Sequence, residues 1–386
     1  MKPFSLPSFQ FLALSTLLAI SPTLLAAKPQ IVAQVIDPEI GIGYGLEITD
    51  MNGDGKPDII LVDKDNVAWY ENPSWTKHVI AGHLTEKDHV CLAARDITGD
   101  GRAEVAIGAQ WFPKDTQDSG AVFLLETNGN RADAWKHTAL HHEPTVHRMH
   151  WVKGTGDNYF LTVLPLHGRG NNIGTGEGAG IKILGYKDGG TFLINDQFHK
   201  AHNYDIVARG KKQPEALLVA SMEGVHLLTP AKGKWKSSQL SSEQAGEVRH
   251  GKLPNGKPFV TSIEPMHGNA VVVNTFDKIG HNAKHLSRSV LVDNYIQGHA
   301  LATADLLGNG SDQIIAGRRG ARPNDPVGIQ LFASNKDGSR WELVLDIDKG
   351  TMACEDLKVG DLNGDGKPEV VACGRRTKNV VIYWNK

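Results

Sequence analysis

Asp50-Met51-Asn52-Gly53-Asp54-Gly55-Lys56-Pro57-Asp58 puts oxygen-bearing side chains at Asp50, Asn52, Asp54 and Asp58, with glycines at Gly53 and Gly55. Such an alternation lets one tight loop turn several oxygens inward around a hard cation, and the Lys56 carbonyl is a further candidate ligand. An EF-hand would place a helix before this loop. Here the flanks are Gly43-Tyr44-Gly45-Leu46-Glu47-Ile48-Thr49 and Ile59-Ile60-Leu61-Val62, which read as short strands. The unit is therefore strand, cation loop, strand.

The unit recurs. Asp96, Thr98, Asp100 and Glu104 repeat the spacing, as do Asp361, Asn363, Asp365 and Glu369. These three loops are expected to hold Ca²⁺ as structural staples away from any central channel. In a weaker copy from Asp305, Leu307 and Gln313 stand at two ligand positions, so that loop is expected to hold nothing. The copies recur at roughly fifty-residue intervals, a period that means a propeller or a solenoid. The gap between Asp96 and Asp305 has room for three degenerate repeats, found at Met149–Val152, Tyr204–Val207 and Val248–His250, each followed by an apolar run. The loop Gly154-Thr155-Gly156-Asp157 follows the first of these. Outer strands follow the inner ones, for example at Phe192–Phe198, but the last repeat stops at Trp384 without one. Gln30–Ile36 is a spare strand that can supply it, closing the ring and hiding its edges. The fold expected is all-β: a seven-bladed propeller of four-stranded antiparallel blades, closed by the N-terminal strand.

The chain has 386 residues, 42 glycines and a net charge of -2. That balance argues against a nucleic-acid partner held by bulk electrostatics. Lys2, the apolar stretch Phe9–Leu25 and the small pair Ala26-Ala27 read as a signal peptide over residues 1–27, leaving residues 28–386 as the propeller. No other stretch is long and apolar enough to span a bilayer. A periplasmic or secreted protein, with no stable membrane insertion after cleavage, is expected. Of the three cysteines, Cys354 and Cys373 fall on neighbouring strands and can pair, although buried free thiols fit the spacing better.

The D-x-N-G-D-G-K-P-D loops at this period resemble the FG-GAP/VCBS repeats of integrin-like β-propellers, and the resemblance covers essentially all of residues 28–386. Such a resemblance specifies the fold and leaves the function open. With its histidine-rich inner strands, the chain also looks like the propeller domain of aldos-2-ulose dehydratases, which eliminate water from keto-sugars and carry cupin domains after the propeller. No cupin pattern follows here, and no catalytic residue is carried over from that family.

The 17 histidines are placed unevenly. His89, His147, His150, His202, His250 and His299 fall near the starts of innermost strands. A second set, Trp111, His167, Glu223, His267, Arg318, Arg319, Arg375 and Arg376, follows second strands. In an antiparallel blade these two positions are neighbours, so both sets are expected at one mouth of the channel, with Tyr44, Tyr295, Glu264 and Glu355. Imidazoles exchange protons near neutral pH, and guanidinium groups grip enolates or carboxylates. The expected chemistry is β-elimination on a keto-sugar or uronic acid by an exported carbon–oxygen lyase. His89, His150 or His202 would be the base, His250, His267 and His299 acids or metal ligands, and Arg318 and Arg375 the anion clamp. His167, Glu223, His267, Arg319, Glu355, Arg376, Tyr44 and Trp111 would hold the carbohydrate. Three of the histidines can alternatively hold Zn²⁺ or another divalent metal. The competing expectation is a non-catalytic, calcium-stabilised propeller that binds a glycan or a protein. It predicts a flatter face with exposed aromatics and no converging acid–base pair. The glycine-rich segment Gly168–Gly180 is expected as a rim or lid over the mouth, or as an inert surface loop.

Overall fold

A computed structural model describes Met1 and residues 28–386 except Asp157 and Gly176. The expected signal peptide, Met1 aside, and Asp157 of the third-repeat loop lie outside the described residues.

The described residues form 28 strands in seven four-stranded antiparallel sheets. Blade 1 comprises Gly43–Thr49, Asp58–Asp63, Asn66–Glu71 and Thr76–Gly82. The innermost strands of blades 2 to 7 are Cys91–Arg95, Val146–Lys153, Ala201–Val207, Glu247–Lys252, Gly298–Ala304 and Cys354–Gly360. Blade 7 takes its outer strand from Ile31–Asp37, which pairs antiparallel with Val380–Asn385 from Ile31↔Asn385 to Asp37↔Val380. The ring is thus closed by the N-terminal strand, one residue later than the sequence pattern suggests. Asp37 also ties that strand to blade 1, accepting from Tyr70 Oη at 2.7 Å and Lys77 Nζ at 2.8 Å.

Burial follows the pleat and the ring. Second strands such as Asp58–Asp63 and Ala216–Ser221 are buried on both faces, because blades pack face to face on either side. Ile60, Val62 and Trp69 of blade 1 share one apolar cluster with Val105 and Ile107 of blade 2. Outer strands are largely exposed, as in Lys136–Leu140 and the first four residues of Gly190–Asn195. That of blade 3 runs Gly190–Asn195 rather than Phe192–Phe198, because Asp188 and Gly189, at φ 50° and 77°, make a two-residue hairpin turn that starts it earlier. All three cysteines are free and buried. No helix among the described residues is long and apolar enough to cross a membrane.

Each aspartate-rich loop joins the end of an innermost strand to its second strand, on the face opposite that where innermost strands begin. Asp50 accepts from the amides of Gly53 (2.6 Å) and Gly55 (2.8 Å), Asp96 from Gly99 and Gly101, and Asp361 from Gly364 and Gly366. Gly53 and Gly55 sit at φ 84° and 81°, in the left-handed region that glycine tolerates. The last acidic residue of each loop accepts from the amide one residue after the first: Asp58 from Met51, Glu104 from Ile97, Glu369 from Leu362. In the loop from Asp305, Gln313 accepts instead from the Leu307 amide, two residues after the first aspartate, and brings no charge. Burial and the neighbouring acids Asp50 and Asp54 push the Asp58 carboxyl up to about 6.

Candidate functional site

Five of the seven innermost strands carry a register break against their second strand near their start. The skipped residues are Tyr44, His147, His202, His299 and Glu355. A bulge leaves one residue unpaired and re-aims its side chain. All five line one cavity of about 560 Å³ at that mouth. Blades 2 and 5 pair without a break, and their innermost strands start with Cys91 and Glu247 instead.

His202, His267 and His299 come together there, each with one ring nitrogen within 4.8 Å of the others. The Nε2 atoms of His202 and His267 face each other at 2.6 Å, a separation that needs one proton between the two lone pairs. His299 donates Nδ1–H to the Glu355 carbonyl at 2.6 Å, which leaves its Nε2 as a lone pair. His202 Nδ1 lies 3.0 Å from Glu247 Oε1, both side chains only 2 % exposed. Neither atom has an aligned hydrogen bond, so this contact is a close pair rather than a formed bond. His267 Nδ1 is 3.5 Å from Arg319 Nη2 and is the least constrained. The rings of Trp111, His147, His202 and His267 follow one another with centroids 4.4–4.9 Å apart. Burial first, then Arg148 and Arg319, hold His202 well below the usual imidazole range; burial and Arg148 do so for His147, and burial and Arg319 for His299. These imidazoles are neutral at neutral pH, the form that ligates metals and accepts protons.

Glu355 anchors the opposite wall. Arg319 Nη1 donates to both its oxygens at 2.7 and 2.8 Å, and Arg375 Nη1 to one at 3.0 Å. The Arg375 guanidinium lies over the Tyr44 ring at 5.5 Å. Tyr44 donates to Asp88 at 2.7 Å, and burial and that bond push its phenol up. His167 lines the same cavity; burial pushes it down to about 4, and its Nδ1 has no partner. Asn172, from the glycine-rich segment, and Lys114 complete the rim.

The structure thus brings together Tyr44, Trp111, His167, His202, His267, His299, Arg319, Glu355 and Arg375. It does not bring the others to this mouth. His150 stands three residues past His147, and at ~3.3 Å per strand residue that carries it down the channel. His150 and His250 line the opposite mouth with Asp205 and Lys358, and His250 Nδ1 pairs with Asp205 at 2.7 Å. His89 precedes its strand and is buried, accepting from the Leu84 amide. Arg318 and Arg376 turn into a neighbouring groove beside Asp325 and Asp346. Glu223 pairs with His199 at 2.8 Å. Tyr295 is buried and donates to Gln330, while Glu264 binds Arg288. Arg148, Lys200 and Glu247 are functional candidates that the pattern of repeats did not single out. The alternation of Glu247-Val248-Arg249 against neighbouring strands carried no signal that Glu247 would face His202.

Residues 50–107 match the FG-GAP-like repeat and residues 92–125 the FG-GAP repeat. The chain carries FG-GAP repeats in a seven-bladed propeller. No curated protein matches it. Among solved structures, BBS1N in complex with ARL6DN is similar in two crystals. The mercury-soaked one is 14% identical, covering 93% of this chain and 97% of that chain at a TM-score of 0.55. The lead-soaked one is 13% identical, covering 92% and 96% at 0.54. An Agrocybe aegerita lectin that recognises non-reducing terminal N-acetylglucosamine is 14% identical over 80% of this chain and 81% of that chain, with a TM-score of 0.47. At these identities the likeness is one of fold.

Proposed function

We propose that the histidine mouth is the active site of a carbohydrate lyase or dehydratase that works by β-elimination, with a divalent transition metal held by His202, His267 and His299. The observation that carries this is the convergence of three neutral imidazoles in one cavity. Ligating histidines characteristically give their other N–H to a carboxylate or carbonyl. His299 does so to Glu355 O, and Glu247 stands ready for His202. A binding propeller would have no need to gather buried, unprotonated histidines, whose desolvation contributes nothing to recognition.

The metal, Zn²⁺ by this donor set, would act as a Lewis acid on a substrate oxygen. The remaining steps belong to the chain. His167, which lines the cavity and is unprotonated at neutral pH, takes the proton from the carbon beside the carbonyl or carboxylate. The electron pair forms the new double bond as the β C–O bond breaks. The His167 imidazolium so formed returns that proton to the leaving oxygen, while the Tyr44 hydroxyl stays bound to Asp88. Arg319 and Arg375, pre-set by Glu355, offer fixed donors where negative charge builds up. Ca²⁺ in the three acidic loops would be structural. Glu369 Oε1, a buried carboxylate oxygen without a partner, fits a cation there.

Elemental analysis after dialysis tests the metal. One transition ion per chain is expected, lost in His267→Ala with the unfolding midpoint otherwise unchanged. Equal metal content in protein and variant, or none in either after zinc is supplied, overturns the assignment.

A further inference from the structure

Five cationic side chains line the cavity: Lys114, Arg148, Lys200, Arg319 and Arg375. Glu355 is the one carboxylate among its lining residues. That carboxylate is shared between two guanidinium groups, so it leaves at least one positive charge over even before the others are counted. Arg148 spends its donors on neutral acceptors, the carbonyl of His147 at 2.8 Å and the ring nitrogen of His147 at 3.2 Å. Among the described residues, Lys114, Arg148 and Lys200 have no carboxylate within 4.0 Å. The whole chain carries a net charge of -2, which makes this pocket a local exception. A concave site lined by one sign of charge focuses the field and concentrates ions of the opposite sign.

We infer that the sugar taken by this cavity carries an anionic group, and that the group is the carboxylate of a uronic acid gripped by Arg148 and Lys200. The inference rests on reading the cavity as the substrate site. It selects the acidic branch of the two substrate classes considered above. A carboxylate is planar and takes paired N–H donors from a guanidinium fork. It also acidifies the C–H beside it, so one group serves both recognition and elimination. A metal at the three histidines would add to the positive field. The cavity volume lies within the usual range for ligand sites.

The test is calorimetric binding to the zinc-loaded full chain of three disaccharides: one ending in glucuronate, its glucose-ended counterpart, and the same sugar bearing a 6-sulfate. The glucuronate sugar is expected to bind at least about tenfold more tightly than the neutral one, as a charge-assisted pair implies. That margin should shrink as salt rises. Arg148→Gln should remove most of the margin. Lys200→Gln, at a more open position, should remove a smaller part and guards against a folding defect in the first variant. Sulfate binding equal to or tighter than glucuronate binding would keep the anion but overturn the carboxylate as its identity. Equal or tighter binding of the neutral sugar, or a margin that Arg148→Gln leaves intact, overturns the inference alone. If none of the three sugars binds, the cavity is no sugar site, and the proposed function falls with it.

Discussion

Glu247 is a buried carboxylate that belongs to no repeat motif, yet it sits at the junction of the site. One oxygen accepts from Asn203 Nδ2 at 2.6 Å; the other stands 3.0 Å from His202 Nδ1. If His202 ligates through Nε2, Glu247 fixes its tautomer and raises its basicity. Glu247→Gln should then weaken Zn²⁺ binding by roughly 10- to 100-fold, the usual cost of losing such a partner. The readout is zinc affinity by competition with a chelator. Unchanged affinity would make Glu247 a channel filler. Acid stability is a second matter for single residues. Burial, ahead of the nearby cations Lys358 and Arg249, depresses His150 to about 3, and burial lowers His89 also. The unfolded chain binds protons at these positions near pH 6.5, while the folded chain does not. Stability is therefore full above that pH and falls as pH drops below it, down to about 3 for His150. Each such group costs about 1.4 kcal/mol per pH unit in that window. Unfolding midpoints measured between pH 7 and 5 should fall, and His150→Gln should flatten the slope. The sequence made the histidines conspicuous, but their separation between two mouths depends on strand register. His147 and His150 differ by three positions, and only the bulge at His147 aims it into the cavity.

At the scale of the element, the outer strand of blade 7 was legible because the last repeat lacked one and the chain began with a spare. Its closure has a buried polar lock. Asp37 satisfies the buried Tyr70 hydroxyl and holds Lys77. Desolvation would raise its carboxyl, but the bonds from Lys77, Glu39 N and Tyr70 outweigh it and leave the group lowered. Asp37→Ala should leave the Tyr70 hydroxyl unpaired and cost about 1–3 kcal/mol in denaturant unfolding. Tyr70→Phe combined with Asp37→Ala should recover part of that loss, because both partners then go. The bulges were not legible. They require knowing which residue of the innermost strand faces which residue of the second, and no single-strand pattern holds that information. The hairpin at Asp188-Gly189 was missed for a simpler reason. The apolar run Phe192–Phe198 outweighed a turn signal that lay just before it.

Over the whole molecule, the two functions divide between the faces of the ring. Aspartate loops hold the turns on one face, and the histidine cavity opens on the other. The loops gave away the fold, since their spacing alone counts blades. They said nothing of the site, which is assembled from residues on several blades brought together only by closure. A calcium chelator should lower the unfolding midpoint, and added Ca²⁺ should restore it. Asp361→Asn should blunt the effect while Asp305→Asn should not, because the loop from Asp305 carries Gln313 where the others end in a carboxylate. A midpoint indifferent to calcium in the parent protein would remove the structural ions from the account.

The most direct test of the central claim is turnover. The zinc-loaded protein, incubated with uronate-containing oligosaccharides and with keto-sugars, should produce the ultraviolet absorbance of a conjugated elimination product. His267→Ala and His167→Ala should each abolish that rise while keeping the calcium-dependent unfolding midpoint of the parent. A protein that binds its metal and its sugar yet yields no such product from either class would contradict the account and leave a binding propeller in its place.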